Sequence, residues 1–314
     1  MREIMKTRWY IILFFFALVI IPVLLYHIMN NENREMNESV RSQLGGSYLR
    51  LSRGVTHYTL EGPVNGQVVV LVHGGTVPMF TWDAISPILA TAGYRVLRYD
   101  MYGRGYSDRP SVAYDRELYL NQLLDLLDAL NLHEPIDLVG YSLGGGIVAD
   151  FAARYPQRVS RLALISPVVY NFKTPRIFRI PVLGEFLARI IGIRTVTKRA
   201  NSMYEGTSFF QRHADLFAEQ TIFKGFQFSL LSMIRSDALG DYRNSYEAVG
   251  KQKRSVLLMW GSRDTEIPEE VINTARKLIP HVQFHALQNA GHNIVFQKPE
   301  QTSAILINFL QSNR

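Results

Sequence analysis

Short apolar runs alternate with stretches of helical periodicity from about Tyr48 to the C-terminus. Continuous apolar runs of four to six residues are typical of strands that are buried on both faces. The first two runs read as a hairpin that turns at Arg53-Gly54. The predicted strands are 48–51, 55–60, 67–72, 95–98, 136–140, 162–165, 255–260 and 282–287.

Helical periodicity fills most of the intervals between these runs. One stripe follows the i, i+3, i+4, i+7 spacing and consists of Leu120, Leu123, Leu124, Leu127 and Leu130. Further helices are predicted over 81–91, 268–278 and 302–310. Strands that alternate with helices predict an α/β fold whose mostly parallel sheet has right-handed crossovers and helices on its faces.

The alternation stops between residues 168 and 253, a stretch with helical patches and no convincing buried strand. It is too long for a loop in a compact domain. We therefore predict a helical cap, called the cap segment below, inserted into a core formed by residues 48–167 and 254–314.

Residues 9–29 carry no charge and are apolar on every face, which predicts a transmembrane anchor behind a short tail, residues 1–8. Trp9, Tyr10 and Tyr26 lie near its ends, where amphipathic rings favour the membrane interface, and Pro22 is tolerated in a span. The alternative is a cleaved signal peptide, but its apolar region is usually shorter, and no A-x-A pattern follows at 27–31.

Positive charges flank this run on both sides, with Arg2, Lys6 and Arg8 before it and Arg34 and Arg41 after it. The small bias places the N-terminus in the cytoplasm and the domain that follows the anchor outside it. Residues 30–47 are polar, end in Gly45-Gly46, and are expected to form a flexible linker.

Composition removes several classes of function. The chain of 314 residues has no cysteine, so disulfides, thiolate catalysis and cysteine-ligated metal sites are excluded. The net charge of +7 is compatible with nucleic acid or an anionic membrane as partner. Because the sequence shows neither a nucleic-acid module nor a block of consecutive Lys and Arg, we expect no nucleic acid and favour the membrane.

The strongest chemical signal is Gly140-Tyr141-Ser142-Leu143-Gly144, a G-x-S-x-G motif at the junction of a predicted strand and a predicted helix. This is the context in which the motif places a nucleophilic serine on a strained turn. The flanking glycines fit a turn that leaves no room for side chains. Ser142 is therefore the candidate nucleophile.

A nucleophilic serine needs a base, and the base needs an acid that holds its tautomer. His292 follows the last predicted strand, at the sheet edge where parallel sheets place their chemistry. Asp264 follows the strand 255–260; taken alone, it would be a turn or helix-entry aspartate. The chain order Ser, Asp, His agrees with α/β hydrolases.

Two backbone N–H groups are candidates for the oxyanion hole. One belongs to Leu143, the residue after the nucleophile, and the other to Gly75 in the loop that follows the strand 67–72. His73 is expected to brace that loop and not to transfer protons.

From about Tyr48 onward, the chain resembles the α/β-hydrolase superfamily, with its eight-stranded type of sheet. Besides the motif around Ser142, the resemblance rests on Val72-His73-Gly74-Gly75, on the D-x-x-G-x-G-x-S stretch 100–107, and on 260–264 with Gly291-His292. The stretch 100–107 is similar to one found in esterases, epoxide hydrolases, dehalogenases and ring-cleavage-product hydrolases. The epoxide hydrolases and dehalogenases carry aspartate at the position of the nucleophile, on the turn between strand and helix. Ser142 at this position argues against both. The predicted anchor resembles that of membrane-anchored monoacylglycerol-lipase-type members.

Substrate identity is expected to depend on the cap segment, where ten apolar residues lie between 172 and 191. They form either the cap's own core or an apolar mouth for an acyl chain. They are Phe172, Ile177, Phe178, Ile180, Val182, Leu183, Phe186, Leu187, Ile190 and Ile191. Interspersed basic residues suggest a positive face, solvated or next to anionic headgroups.

The leading hypothesis is a hydrolase of lipid-like or medium-chain carboxylic esters that needs no metal or organic cofactor. The same triad permits hydrolysis of a C–C bond in a diketone, of a thioester or of an amide. A non-catalytic binding protein on a hydrolase fold is the hypothesis from another class. The sequence leaves the oligomeric state open.

Overall fold

The computed structural model describes residues 2–170 and 172–312, and within the first helix it describes no side chains for residues 2–7, 11–15, 17 and 19. Eight strands form one sheet in the order β1-β2-β4-β3-β5-β6-β7-β8. The strands are β1 (Ser47–Leu51), β2 (Gly54–Glu61), β3 (Val68–Val72), β4 (Arg95–Tyr99), β5 (Ile136–Tyr141), β6 (Val159–Ile165), β7 (Val256–Gly261) and β8 (Gln283–Leu287).

The sheet is parallel except at one edge, where β1 pairs antiparallel with β2 and β2 pairs antiparallel with β4. Alternate side chains of a strand pack into two different hydrophobic cores, one on each face of the sheet. In β3, Val70 and Val72 belong to one cluster of buried side chains, whereas Val69 and Leu71 belong to the other. Burial on both faces explains why the central strands are continuous apolar runs. The predicted α/β architecture with a mostly parallel, eight-stranded sheet is confirmed.

Helices flank the sheet and build the cap segment. They are α1 (Arg2–Ile28), α2 (Glu38–Leu44), α3 (Ser86–Thr91), α4 (Arg116–Ala129), α5 (Leu143–Arg154), α6 (Leu183–Leu187), α7 (Ile193–Tyr204), α8 (Phe210–Gln220), α9 (Phe226–Arg235), α10 (Arg243–Gly250), α11 (Glu269–Leu278), α12 (Ile294–Gln297) and α13 (Pro299–Gln311). Short 3-10 turns lie at Met79–Trp82, Pro156–Arg158 and Arg176–Arg179, and a π-helical turn lies at Ala188–Gly192.

One predicted helix is divided. The stretch 81–91 consists of the end of the 3-10 turn Met79–Trp82 and, after a break, α3. Pro87 lies in the first turn of α3, where its missing N–H costs nothing, but it would break a helix that continued through it.

The cap segment contributes no strand to the sheet over its described residues, 168–170 and 172–253. It contains α6 to α10 with the short turns between them. Its last helix, α10, packs on α5, and Ser245 Oγ donates to Asp150 Oδ1 over 2.7 Å in the buried interface. The division into core and cap remains an interpretation of this arrangement.

The prediction of a single-pass membrane anchor at residues 9–29 is wrong. In the described part of the chain, no helix combines the length and the apolar character that a crossing requires, about 20 residues. Several residues of the run, 11–15, 17 and 19, lie outside the described side chains, as do Arg2 and Lys6. Tyr26, interpreted as a membrane-interface residue, instead has the Arg189 guanidinium over its ring at 4.0 Å. The membrane partner and the extracytoplasmic catalytic domain, both inferred from the anchor, are not supported.

Residues 30–47, expected to be a flexible linker, are tied to the rest of the molecule at several points. Glu32 accepts hydrogen bonds from the N–H groups of Gly225 and Gln227 at the start of α9, at 3.2 and 2.6 Å. Arg41 of α2 forms a largely buried ion pair with Asp108. Local composition did not reveal these contacts because their partners lie 67 to 195 residues away.

Candidate active site

Ser142 lies on the turn between β5 and α5, with φ 54° and ψ −118°. A positive φ is strained for a residue with a side chain, and such strain is concentrated at functional sites. Two backbone hydrogen bonds hold the turn: Ser142 N–H donates to Ile165 O at 3.0 Å, and Val168 N–H donates to Ser142 O at 2.9 Å. The fold therefore stabilises the strained turn from both sides.

The glycines around Ser142 are required by close packing of backbones. A Cβ on Gly144 would lie 2.4 Å from the carbonyl oxygen of Val72, and one on Gly140 would lie 2.4 Å from that of Gly144. Real Cβ atoms do not approach so closely. The motif thus lets the start of α5 lie directly against the end of β3.

The structure brings Ser142, His292 and Asp264 together. His292 Nδ1 donates to Asp264 Oδ2 at 2.8 Å, and His292 Nε2 lies 3.0 Å from Ser142 Oγ. All three residues are buried. With Nδ1 as donor, Nε2 is free to accept the serine proton, which is the tautomer that a general base needs.

The carboxylate of Asp264 is fixed by backbone donors from its own loop. Its Oδ1 accepts from the N–H groups of Glu266 and Ile267, both at 2.9 Å, while Oδ2 faces His292. Asp264 and His292 follow β7 and β8 respectively, so the ends of adjacent parallel strands bring them together although 28 residues separate them.

Two residues that the sequence did not single out hold the loop of His292. Tyr141 O–H donates to Asn293 Oδ1 at 2.8 Å, and the Tyr141 ring lies 5.4 Å from the His292 ring, centroid to centroid. Burial raises the pKa of Tyr141 well above its ordinary value, so this hydroxyl stays a donor. Their places next to Ser142 and next to His292 are the only signals that the sequence offered.

The candidate oxyanion donors belong to adjacent parts of the site. Leu143 is the first residue of α5, where backbone N–H groups have no acceptor within the helix. A Cβ on Gly75 would lie 3.3 Å from Leu143 Cδ2. Both residues, with Ser142, line one cavity. Gly75 and Leu143 thus lie beside Ser142 in the wall of this cavity, and their N–H groups remain the candidates for the oxyanion hole.

Side chains behind the loop 73–76 hold its peptides in place. His73 Nδ1 donates to Gly74 O at 2.6 Å, and His73 Nε2 accepts from Met101 N–H at 2.9 Å. Burial lowers the pKa of His73 to about 4, so the ring is neutral at pH 7 and matches this pattern of one donor and one acceptor. The structure places His73 where the sequence interpretation expected it, as a brace.

Arg104, in the stretch 100–107, was missed by the sequence interpretation. Its guanidinium is buried and donates from Nε to Gly75 O at 2.6 Å and from Nη1 to Ser229 Oγ at 2.7 Å. It therefore links the candidate oxyanion loop to α9 of the cap segment. A charged side chain inside a glycine-rich motif was the available signal.

Asp100 is the first residue of the same stretch, and its carboxylate accepts hydrogen bonds from three different parts of the chain. Its carboxylate accepts from Met79 N–H, Tyr106 N–H and His57 Nδ1, at 2.9, 3.0 and 2.7 Å. Burial alone would raise the pKa of Asp100, but the His57 hydrogen bond and the nearby charges outweigh it and lower the pKa. The carboxylate thus stays charged and fixes the loops beneath the site.

A cavity of about 220 Å³ opens onto Ser142, between the core and the cap segment. Most of its walls are apolar and come from α7, α9 and the residues around 172–178. The cap side chains that line it include Phe172, Pro175, Phe178, Ile193, Val196, Leu230, Leu231, Met233, Ile234 and Leu239, together with the cationic Lys173 and Arg199.

Of the ten apolar cap residues listed from the sequence, Phe172 and Phe178 line this cavity. Five others, Ile177, Ile180, Val182, Leu183 and Ile191, are exposed. The α9 side chains, which supply much of the wall, were not anticipated. Their contribution depends on how α9 folds back over Ser142, and no local pattern encodes that.

A strained serine turn on a mostly parallel sheet, followed by an acid and a histidine after later strands, defines the α/β hydrolases. The family model described as alpha/beta hydrolase fold matches residues 67–299, and the chain belongs to this family.

Individual relatives are more distant. The chain is 27% identical over 257 residues to 2-hydroxymuconate semialdehyde hydrolase of Pseudomonas sp. (strain CF600), covering 78% of this chain and 87% of that protein. The enol-lactonase from Burkholderia xenovorans LB400 superposes with a TM-score of 0.71 at 21% identity, over 85% of this chain and all of that one. An esterase from Exiguobacterium antarcticum superposes with a TM-score of 0.68 at 20% identity, with the same coverage. The two structures share the fold.

Proposed function

We propose that this protein is a serine hydrolase that cleaves carboxylic esters with apolar, short to medium acyl groups through an acyl-enzyme on Ser142. The observation that carries the proposal is the apolar cavity whose wall includes Ser142, Gly75 and Leu143. An ester seated there would have its carbonyl beside the nucleophile and its acyl chain among the α9 side chains.

The contacts of Ser142 support a two-step reaction. His292 Nε2 takes the proton of Ser142 Oγ as Oγ bonds to the ester carbonyl carbon, and Asp264 stabilises the imidazolium that results. The N–H groups of Gly75 and Leu143 donate to the oxyanion, each contributing about 3 kcal/mol. His292 then protonates the leaving alcohol. Water, deprotonated by His292, attacks the acyl-enzyme and releases the acid.

The size of the cavity limits the substrate. Its volume of about 220 Å³ lies below the range of roughly 300–1,000 Å³ that is usual for drug-sized ligands. We therefore expect kcat/KM for p-nitrophenyl esters to rise with acyl length while added methylenes fill the cavity, and to fall for long chains.

The test is turnover of a p-nitrophenyl acyl series by the full chain and by Ser142→Ala. We expect Ser142→Ala to lose at least 10³-fold in kcat, as removal of a nucleophile does. Ser42→Ala, on an exposed face of α2, is the matched control and should retain wild-type turnover. Undiminished turnover by Ser142→Ala would exclude this function.

A second candidate is hydrolysis of a C–C bond in an acidic diketone. The observation that favours it is the pair of cations, Lys173 and Arg199, in an otherwise apolar cavity, where they could hold a substrate carboxylate. The relative from Pseudomonas sp. is named for hydrolysis of a semialdehyde, and another relative, 28% identical, is named 2-hydroxy-6-oxo-2,4-heptadienoate hydrolase.

In this reaction, water adds to the ketone, the adjacent C–C bond breaks, and the carbon leaving group departs as an enol after protonation. Comparison of kcat/KM for a 2-hydroxy-6-oxo-dienoate with that for the best p-nitrophenyl ester separates the two candidates. The ester hypothesis requires the ester to be preferred. A preference for the dienoate that is lost in Arg199→Gln would favour the second candidate.

A further inference from the structure

A second carboxylate lies beside the candidate base. Glu266 Oε2 is 3.7 Å from His292 Nε2, the nitrogen that also faces Ser142 Oγ at 3.0 Å. The Glu266 side chain is 25% exposed, whereas that of His292 is 5% exposed. At this separation the carboxylate does not accept a hydrogen bond from Nε2, but its charge acts directly on that nitrogen.

Glu266 is held in this place from two sides. Its backbone N–H donates to Asp264 Oδ1 at 2.9 Å, which ties it to the acid of the candidate triad. Its carboxylate forms an ion pair with Arg199 of α7, in the cap segment. The distance between Glu266 and His292 is therefore linked to the position of a cap helix.

Three other groups surround the ring of His292. Asp264 faces Nδ1, Ser142 faces Nε2, and the ring of Tyr141 lies alongside the imidazole. Glu266 and Arg199 line a cavity of about 210 Å³. Two more charged residues, Lys173 and Glu270, line the same cavity. Among the described residues, Glu266 is the carboxylate within ion-pair distance of Nε2.

We propose that Glu266 is a positioning residue that stabilises the imidazolium of His292, and that Arg199 of the cap segment sets how strongly it does so. The inference rests on the proposed function, since it concerns the base of that reaction. When Ser142 Oγ bonds to the carbonyl carbon, its proton moves to Nε2, and the Glu266 carboxylate favours the resulting cation. The same proton must then reach the leaving oxygen.

Arg199 prevents the interaction from becoming too strong. By pairing with Glu266, it keeps the carboxylate beyond hydrogen-bond distance and neutralises part of its charge. Without Arg199, Glu266 would be free to accept a hydrogen bond from protonated His292 and so to compete with the leaving group for the proton. A cap position that separates Arg199 from Glu266 would therefore favour the protonated form of His292, which cannot accept the proton of Ser142.

The first experiment measures the pH dependence of kcat/KM for a p-nitrophenyl ester and of the rate at which a fluorophosphonate labels Ser142. We expect the acid limb of both profiles to move to lower pH by about one unit in Glu266→Gln, because an anion near the imidazolium is lost. In Arg199→Gln the acid limb should move to higher pH, and Arg199→Lys should restore most of the wild-type profile. Glu185→Gln, which removes the ion pair with Arg235 elsewhere in the cap, is the matched control and should leave the profile in place.

The second experiment needs no substrate. The ring nitrogens of His292, observed by NMR in the full chain labelled with ¹⁵N-histidine, should show the same opposite displacements of the titration midpoint in Glu266→Gln and Arg199→Gln. Midpoints equal to the wild type in both variants would overturn the inference, even if activity falls, since a merely structural role changes activity without moving the midpoint. Failure of Ser142 to react in the wild-type protein would count against the proposed function, while the NMR titration would still decide the role of Glu266.

Discussion

His73 donates its Nδ1 hydrogen to the carbonyl oxygen of Gly74, 2.6 Å away, inside the layer behind the candidate oxyanion loop. The carbonyl of Gly74 and the N–H of Gly75 belong to one planar peptide group. A contact that fixes the carbonyl therefore also fixes the direction of the Gly75 N–H. His73 therefore fixes the orientation of the Gly75 N–H, although its ring contacts the carbonyl oxygen of Gly74.

Replacement of His73 by Asn should therefore reduce kcat more than it changes KM. Because the Gly75 donor would be misdirected and not removed, we expect a loss of about tenfold to hundredfold, below the loss for deleting a donor. Steady-state kinetics with a p-nitrophenyl ester measure it. His133→Asn, at a mostly exposed histidine, is the control. A rise in KM alone would show that His73 shapes binding and not the transition state.

His73 also predicts a loss of stability in weak acid. Burial lowers the pKa of His73 from 6.5 to about 4, so between these pH values the unfolded chain binds a proton that the folded chain does not. Stability is thus unaffected above pH 6.5 and falls as the pH drops toward 4, by about 3 kcal/mol in total.

Urea unfolding at pH 7, 5.5 and 4.5 tests this, with His73→Asn as the comparison. The variant is expected to be less stable at pH 7 but to lose less of its stability on acidification. The acidic limb that arises from Asp100, whose pKa is lowered in the fold, begins at lower pH and is common to both proteins. Equal pH slopes for the two proteins would contradict the prediction.

Gly144 should not tolerate a methyl group. Alanine there would place Cβ 2.4 Å from Val72 O and 2.5 Å from His73 O, both backbone atoms that cannot move independently. We expect Gly144→Ala to lower the free energy of unfolding by about 3 kcal/mol or more. Gly192→Ala is the matched control, because its nearest neighbour would be 3.5 Å away. If Gly144→Ala melted at the same temperature as the wild type, the backbone around Ser142 would have to move to accommodate the methyl group, contrary to this prediction.

Asp264→Asn should preserve the fold and abolish most turnover. An amide can donate to Nδ1, which favours the tautomer with the proton on Nε2, the wrong one for a base; in a comparable triad such a change costs about 10⁴-fold in kcat. Asp241→Asn, at a half-exposed aspartate paired with Arg243, should be near neutral. Near-normal kcat in Asp264→Asn would show that the tautomer of His292 does not depend on the Asp264 carboxylate.

The sheet and the candidate triad could be predicted from sequence because their signals are local. Each central strand is an apolar run. Ser142 follows β5 directly, and Asp264 and His292 lie three and five residues after the ends of β7 and β8. The glycines of the serine motif also indicate a tight turn with closely packed backbones. The roles of the triad residues remain a proposal that the experiments above address.

What could not be predicted depends on packing between distant segments. Arg104 meets Ser229 across 125 positions of the chain, and Glu32 meets Gln227 across 195. No periodicity or spacing in the sequence predicts that the two residues of either pair are in contact. The error at residues 9–29 has a related cause, since apolar composition was interpreted as membrane insertion without knowledge of what Tyr26 contacts.

The helix α9 is held at its start, its middle and its end. Glu32 caps its first turn, Arg104 contacts Ser229 and Met233, and Arg235 donates to Phe178 O at 2.9 Å. Side chains between these fixed points, Leu230, Leu231 and Ile234, face the cavity next to Ser142. Substitutions there would change the shape of the cavity while the helix backbone keeps its place. These positions of α9 are thus places where substrate range could diversify, in evolution or by design, while the three fixed points keep the helix in position.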